Sequence, residues 1–151
     1  MNDNDLHVVF SRKTDHWATP KVLYDAYQKA GFVDPCPLFS KKDNLNRDYG
    51  AVDLFINPPY SDIKNWTTFA IQHHQKYQRC IVLLVPARTD TKWFHELLDY
   101  GIYIRFIKGR LKFNDGKNSA PFPSLLITLL GNGSEDGLII NHCDREVDHD
   151  C

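Results

Sequence analysis

The chain has 151 residues, 42% of them hydrophobic and 13% aromatic, which excludes a disordered polymer and bounds it to one domain with a layered core. Its net charge of −1 hides a division: Glu135 to Cys151 carries six acids and one base, a net −5, leaving +4 on the rest. No apolar run nears the ~20 residues of a membrane span, and the start Met1-Asn2-Asp3-Asn4-Asp5 is no signal peptide, so a soluble intracellular protein is expected.

Residues 1–16 are polar and read as an arm. Thr19-Pro20 predicts a helix start, with threonine as cap and proline in the first turn; the helix would bury Val22, Leu23, Ala26 and Tyr27 and stop at Gly31. A short strand around Phe32-Val33 then runs into Asp34-Pro35-Cys36-Pro37, and residues 38–52 read as a loop. Leu54-Phe55-Ile56 is an apolar strand entering Asn57-Pro58-Pro59-Tyr60. Ser61 would cap a helix with Ile63, Trp66 and Ala70 on its apolar face. Cys80 to Val85 is a continuous apolar run, as a buried parallel strand requires, and it ends at Pro86. A helix from about Thr91 to Tyr100 would bury Trp93, Phe94, Leu97 and Leu98. Strands follow over Ile102 to Ile107, Arg110 to Phe113 and Ser124 to Leu130. This order predicts an α/β fold, its sheet mostly parallel with an antiparallel edge.

Three strands end in similar punctuation: Asp34-Pro35-Cys36-Pro37, Asn57-Pro58-Pro59-Tyr60 and Pro86-Ala87-Arg88-Thr89-Asp90. Proline cannot donate a ladder hydrogen bond, so such ends make rigid lips, and open α/β sheets place ligands at the carboxyl ends of their strands. On the Asn57–Tyr60 lip sit an amide, a free proline carbonyl and an aromatic ring. The Asn57 oxygen and the Pro58 carbonyl could accept both hydrogens of an exocyclic amine, localising its lone pair, while Tyr60 stacks on the base. The same residues could equally make a turn in which Asn57 caps and Tyr60 packs. Asp34 could hold the amino group or ribose hydroxyls of a nucleoside cofactor, or simply begin a turn.

Neither a GxGxxG nor a P-loop is present, which disfavours a pyrophosphate cofactor and leaves S-adenosylmethionine open. Arg105, Lys108, Arg110, Lys112 and Lys117 cluster around a single acid, Asp115, as a phosphate-contacting surface or an ordinary solvated strand face would. Cys36, Cys80, Cys143 and Cys151 are scattered without a CxxC pair, so no zinc knuckle or disulfide scaffold is indicated. His73-His74 is expected to face solvent, and His142 with Cys143 and His149 with Cys151 lack compact ligand spacing, so no metal is expected. Trp17 could pack in the core or close over a cofactor.

The ordered motifs resemble the phage-type DNA N-6-adenine methyltransferases, a Dam-like family of phages, prophages and viruses. The resemblance runs from about Asp15 to Leu129 and rests on Asp15-His16-Trp17-Ala18-Thr19-Pro20, Asp34-Pro35-Cys36 and Phe55-Ile56-Asn57-Pro58-Pro59-Tyr60-Ser61. It continues through Leu84 to His95, Gly109-Arg110-Leu111-Lys112-Phe113 and Ala120-Pro121-Phe122-Pro123-Ser124. It implies a Rossmann-like, S-adenosylmethionine-dependent methyltransferase fold acting on the 6-amino group of adenine in DNA. It also implies a catalytic motif of Asn57, Pro58, Pro59 and Tyr60. Cofactor contacts would come from Trp17, Thr19, Pro20, Asp34, Pro35, Cys36 and Asn57. DNA contacts would come from Arg88, Lys108, Arg110, Lys112 and Lys117.

Asn57 follows Asp34 by an interval of only 23 positions, so the sheet is expected to be abbreviated on the cofactor side. Residues 1–134 are expected to form the methyltransferase domain behind an arm over 1–14, with 135–151 an acidic tail. DNA is the implied partner, without a membrane, a homodimer is allowed, and the location is the cytoplasm, the host's if the protein is viral. Asn-Pro-Pro-Tyr chemistry also serves enzymes that methylate RNA or protein glutamine, and a non-catalytic nucleic-acid-binding descendant is a further reading.

Overall fold

The computed structural model describes residues 17–37, 42–113, 118–131 and 138–143. In chain order the elements are α1 (Lys21–Lys29), β1 (Leu54–Ile56), α2 (Ile63–Tyr77), β2 (Ile81–Pro86), α3 (Lys92–Leu98), β3 (Ile102–Ile107), β4 (Lys112–Phe113), β5 (Asn118–Ser119), β6 (Ser124–Leu129) and β7 (Leu138–Cys143). Short 3₁₀ turns lie at Lys42–Asn46 and Tyr60–Asp62.

Every residue of β2 and β6 is buried, as unbroken apolar runs require when both faces of a sheet are covered. On one face α2 and α3 lay Trp66, Ala70, Ile71, Trp93, Phe94 and Leu97 over Ile56, Leu83, Val85 and Ile127. On the other, α1 brings Leu23 and Tyr27 against Phe55, Val82, Leu84 and Leu126, beside Leu111 and Phe113. Tyr27 stacks on Phe55 with ring centroids 4.5 Å apart. Helix α1 ends before Gly31, whose φ of +90° is open to glycine at little cost.

The strand order is β1-β2-β6-β3-β7, with a parallel bridge from Val33 to Leu54 outside β1. Both β1–β2 and β3–β7 are parallel. The pairings β2–β6, β3–β6 and β4–β5 are antiparallel. The expected mostly parallel sheet with an antiparallel edge is therefore corrected to a mixed five-stranded sheet, two of its ladders parallel and two antiparallel, whose reversed strand, β6, lies inside. A parallel return needs a crossover of about a dozen residues, usually a helix. Residues 108–123 instead carry the small β4–β5 hairpin, so β6 leaves from the edge where β3 ended and runs back beside it. The segment read as an acidic tail also supplies β7, which pairs with β3 from Leu138 to Cys143.

Several local expectations change with tertiary contact. Thr19 does not cap α1; its N-cap is Pro20, without a side-chain cap bond. Ser61 does not cap α2, which begins after the 3₁₀ turn with Asp62 as N-cap. Val22 is exposed, because Leu23 and Tyr27 define the buried stripe. His73 is buried, with Nε2 3.0 Å from the Val52 carbonyl, rather than facing solvent. Arg105 is buried too, donating from Nη2 to the Tyr27 hydroxyl at 2.7 Å, so it leaves the basic surface. Cys36 is buried and in no disulfide, whereas Cys80 is disulfide-bonded, a bridge that the scattered cysteines did not foretell.

Because β1, β2 and β3 run the same way, their carboxyl ends share one edge of the sheet with the amino end of β6. That edge gathers Asp34, Asn57–Tyr60, Pro86–Arg88, Lys108–Arg110 and Phe122–Ser124. A 2.9 Å bond from the Ala87 amide to the Pro123 carbonyl ties two of these segments together.

Candidate functional site

Asn57 is buried where β1 gives way to Pro58-Pro59, the prolines ending the ladder. Its Nδ2 donates to the Trp17 carbonyl at 2.5 Å and to the Thr19 Oγ1 at 3.0 Å. Among the described residues its Oδ1 accepts no hydrogen bond. The Pro58 carbonyl is likewise without a partner there, whereas the Pro59 carbonyl accepts from the Asp62 amide at 3.0 Å. The lip thus offers two acceptors, one from a side chain and one from the backbone.

A cavity of about 310 Å³ opens beside Asn57, walled by Trp17, Thr19, Tyr24, Asp34 and Cys36. The Asp34 Oδ1 accepts from the Cys36 amide at 2.8 Å, the turn expected of aspartate at a strand end. Burial pushes the Asp34 carboxyl up to about 6, against the opposing effect of the Cys36 hydrogen bond. Among the described residues no lysine or arginine lines this cavity, and the charged group on its wall is a carboxylate without a cationic partner there. Such a wall favours a ligand that is cationic or rich in donors, and disfavours a phosphate.

A second cavity, of about 300 Å³, lies at the other end of the lip among Tyr60, Ser61, Ile63, Pro86, Arg88 and Trp93. Tyr60 meets Phe122 edge-on at 5.0 Å, and Phe122 in turn meets Trp17 at 5.9 Å. An aromatic row therefore links the two cavities. The Tyr60 hydroxyl is buried without a hydrogen-bond partner among the described residues, and desolvation raises its pKa. Arg88 is exposed and forms no ion pair among the described residues.

The structure brings together Trp17, Thr19, Asp34, Cys36 and Asn57, while Pro20 and Pro35 do not line the cavity. Lys108, Arg110 and Lys112 are exposed beyond β3, and Lys117 lies outside the described residues. Sequence reading missed Tyr24, which lines the first cavity from α1; its place next to the buried Leu23 was the available signal. It also gave Trp93 to the core alone, although that ring walls the second cavity. Among the described residues no three His, Cys, Asp or Glu side chains gather to hold a metal ion. Likewise, no helix among them is long and apolar enough to cross a membrane.

Comparison with curated proteins and with solved structures gives no match. The model of one family, DNA N-6-adenine-methyltransferase (Dam), matches residues 8–124, a span that holds the lip and both cavities. Since that match covers well over half of the sequence, the chain belongs to the DNA N-6-adenine-methyltransferase (Dam) family.

Proposed function

We propose that the protein transfers a methyl group from S-adenosylmethionine to the exocyclic 6-amino group of adenine in DNA. The observation that carries this reading is the buried Asn57 amide, its nitrogen engaged and its oxygen free, on a lip that borders both cavities. The sheet reads as an abbreviated Rossmann-like methyltransferase sheet, with its ligand edge where the strands β1 to β3 end.

The first cavity fits the cofactor chemically. S-adenosylmethionine is cationic at sulfur and at its amino group and has no phosphate, matching a wall with a carboxylate and an indole and, among the described residues, no basic side chain. When bound, it supplies the electrophilic methyl group. Trp17, Asp34 and Cys36 would hold it, with Asp34 accepting hydrogen bonds from amino or hydroxyl groups.

Asn57 Oδ1 and the Pro58 carbonyl accept the two amine hydrogens of adenine, which draws the lone pair out of the ring. Neither acceptor is basic enough to keep a proton, so the proton lost from the amine passes to solvent. Tyr60 stacks on the base, and its ring is steadied edge-on by Phe122. Arg88 takes a flanking phosphate, while Lys108, Arg110 and Lys112 extend the contact along the backbone. Catalysis on this account comes from positioning and from acceptors set in place before the reaction.

Tyr60 separates stacking from hydroxyl chemistry. Tyr60→Phe removes a buried hydroxyl without a partner, so thermal stability is expected to hold or to rise by up to about 1 kcal/mol. Methylation should stay near wild type. Tyr60→Ala should lose roughly 1–3 kcal/mol of stacking, seen as an increase in KM for DNA or a fall in kcat.

Methyl incorporation from labelled S-adenosylmethionine into separate DNA, RNA and protein pools tests the function. Label is expected in DNA, recovered as N6-methyladenine after digestion. Label confined to RNA or to glutamine would replace the substrate. DNA binding without cofactor binding would replace the enzyme by a binding protein.

A further inference from the structure

Thr19 stands where a hydroxyl ordinarily caps a helix, one residue before Pro20 and α1, yet α1 has no side-chain cap bond. Its Oγ1 instead reaches across 38 residues to the Asn57 Nδ2, at 3.0 Å. The Trp17 carbonyl lies 2.5 Å from the same nitrogen. A carbonyl can only accept, so the amide end facing Trp17 must be the NH₂ group, and chemistry alone fixes which way the Asn57 amide is turned. With both amide hydrogens engaged, the oxygen is the end left to meet an incoming group.

We propose that Thr19 is a positioning residue that, with the Trp17 carbonyl, locks the flip of the Asn57 amide so that the site presents an acceptor to the substrate amine. This inference rests on the methyltransferase reading for its purpose. Turned by half a rotation, the amide would set its own NH₂ against the amine, donor against donor. It would also leave the Trp17 carbonyl facing the Asn57 oxygen. The lock therefore makes the site selective for an amine donor and holds the acceptor in place before any substrate arrives.

Thr19→Val keeps the branched shape and removes the acceptor, whereas Thr19→Ser keeps the acceptor. In ¹⁵N-labelled protein without ligand, the Asn57 side-chain NH₂ should exchange about tenfold faster with solvent in Thr19→Val and near the wild-type rate in Thr19→Ser. Activity on mixed-sequence DNA should show kcat about tenfold lower in Thr19→Val, with the calorimetric Kd for S-adenosylmethionine within about threefold of wild type. Thr19→Ser should restore kcat.

Unchanged Asn57 exchange in a folded Thr19→Val protein would overturn the lock. A Kd rising as much as kcat falls would also overturn it, making Thr19 a cofactor contact instead. Should the wild type methylate no DNA at all, the functional reading fails, while the exchange measurement still decides whether Thr19 holds the amide.

Discussion

Asn57→Ala is expected to lower kcat for DNA methylation by at least 10²–10³-fold, the loss typical when one pre-set electrostatic partner of a transition state is removed. Alanine deletes the side-chain acceptor outright and leaves only the Pro58 carbonyl to meet two amine hydrogens. It also frees the Trp17 carbonyl and the Thr19 hydroxyl, which lose their shared donor. The cavity wall beside Asp34 stays in place, so S-adenosylmethionine should bind within a few-fold of wild type by calorimetry. Single-turnover methyl transfer separates the two readouts. Activity within about fivefold of wild type would remove Asn57 from the chemistry. Asn57→Asp should fare nearly as badly, because a carboxylate oxygen would then face the Trp17 carbonyl.

Asp34→Asn should trade binding for stability. The Asp34 carboxyl titrates near 6 in the folded protein against 3.8 for the free group, because burial penalises its charge. A carboxyl raised in this way contributes stability that is fully present below about 4 and is lost as pH rises through about 6. At neutral pH the ionised group therefore weighs against the fold. The shift corresponds to roughly 3 kcal/mol at most, and to about 1–2 kcal/mol after allowance for its partial exposure. Asparagine keeps an oxygen for the Cys36 amide and removes the charge. The ligand-free Asp34→Asn protein should thus melt at the same temperature as wild type near pH 4 and several degrees higher at pH 7.5.

S-adenosylmethionine affinity should fall by about 10–100-fold in the same variant, as expected when a hydrogen bond to a charged group is lost. In the wild type, affinity should weaken as pH drops through about 6 and the carboxylate is protonated. An Asp34→Asn margin over wild type no greater at pH 7.5 than at pH 4 would contradict the burial account. One that binds the cofactor as wild type does would take Asp34 out of the site.

Features confined to a few neighbouring residues were legible in the sequence. The lip at Asn57–Tyr60 follows from prolines after a buried strand, the turn at Asp34 from aspartate before proline, and the buried β2 from an unbroken apolar run. Features that depend on distant partners were not. Thr19 carries the marks of a helix cap, but an amide 38 residues away claims its hydroxyl. Arg105 belongs to a run of cations, yet its strand position turns it inward to Tyr27, 78 residues earlier. Strand β6 has the composition of any buried strand, and composition does not show between which neighbours it inserts or in which direction it runs.

By itself, then, the sequence determined the helices, the buried strands β1, β2, β3 and β6 and the proline-ended edge, because backbone stops, turn geometry and apolar runs are local properties of the chain. Only the tertiary structure decided the mixed sheet, the second cavity behind Tyr60 and the direction in which the Asn57 amide points. Each of those depends on groups far apart in the chain meeting within hydrogen-bond or packing distance, and no local pattern specifies which of them will meet.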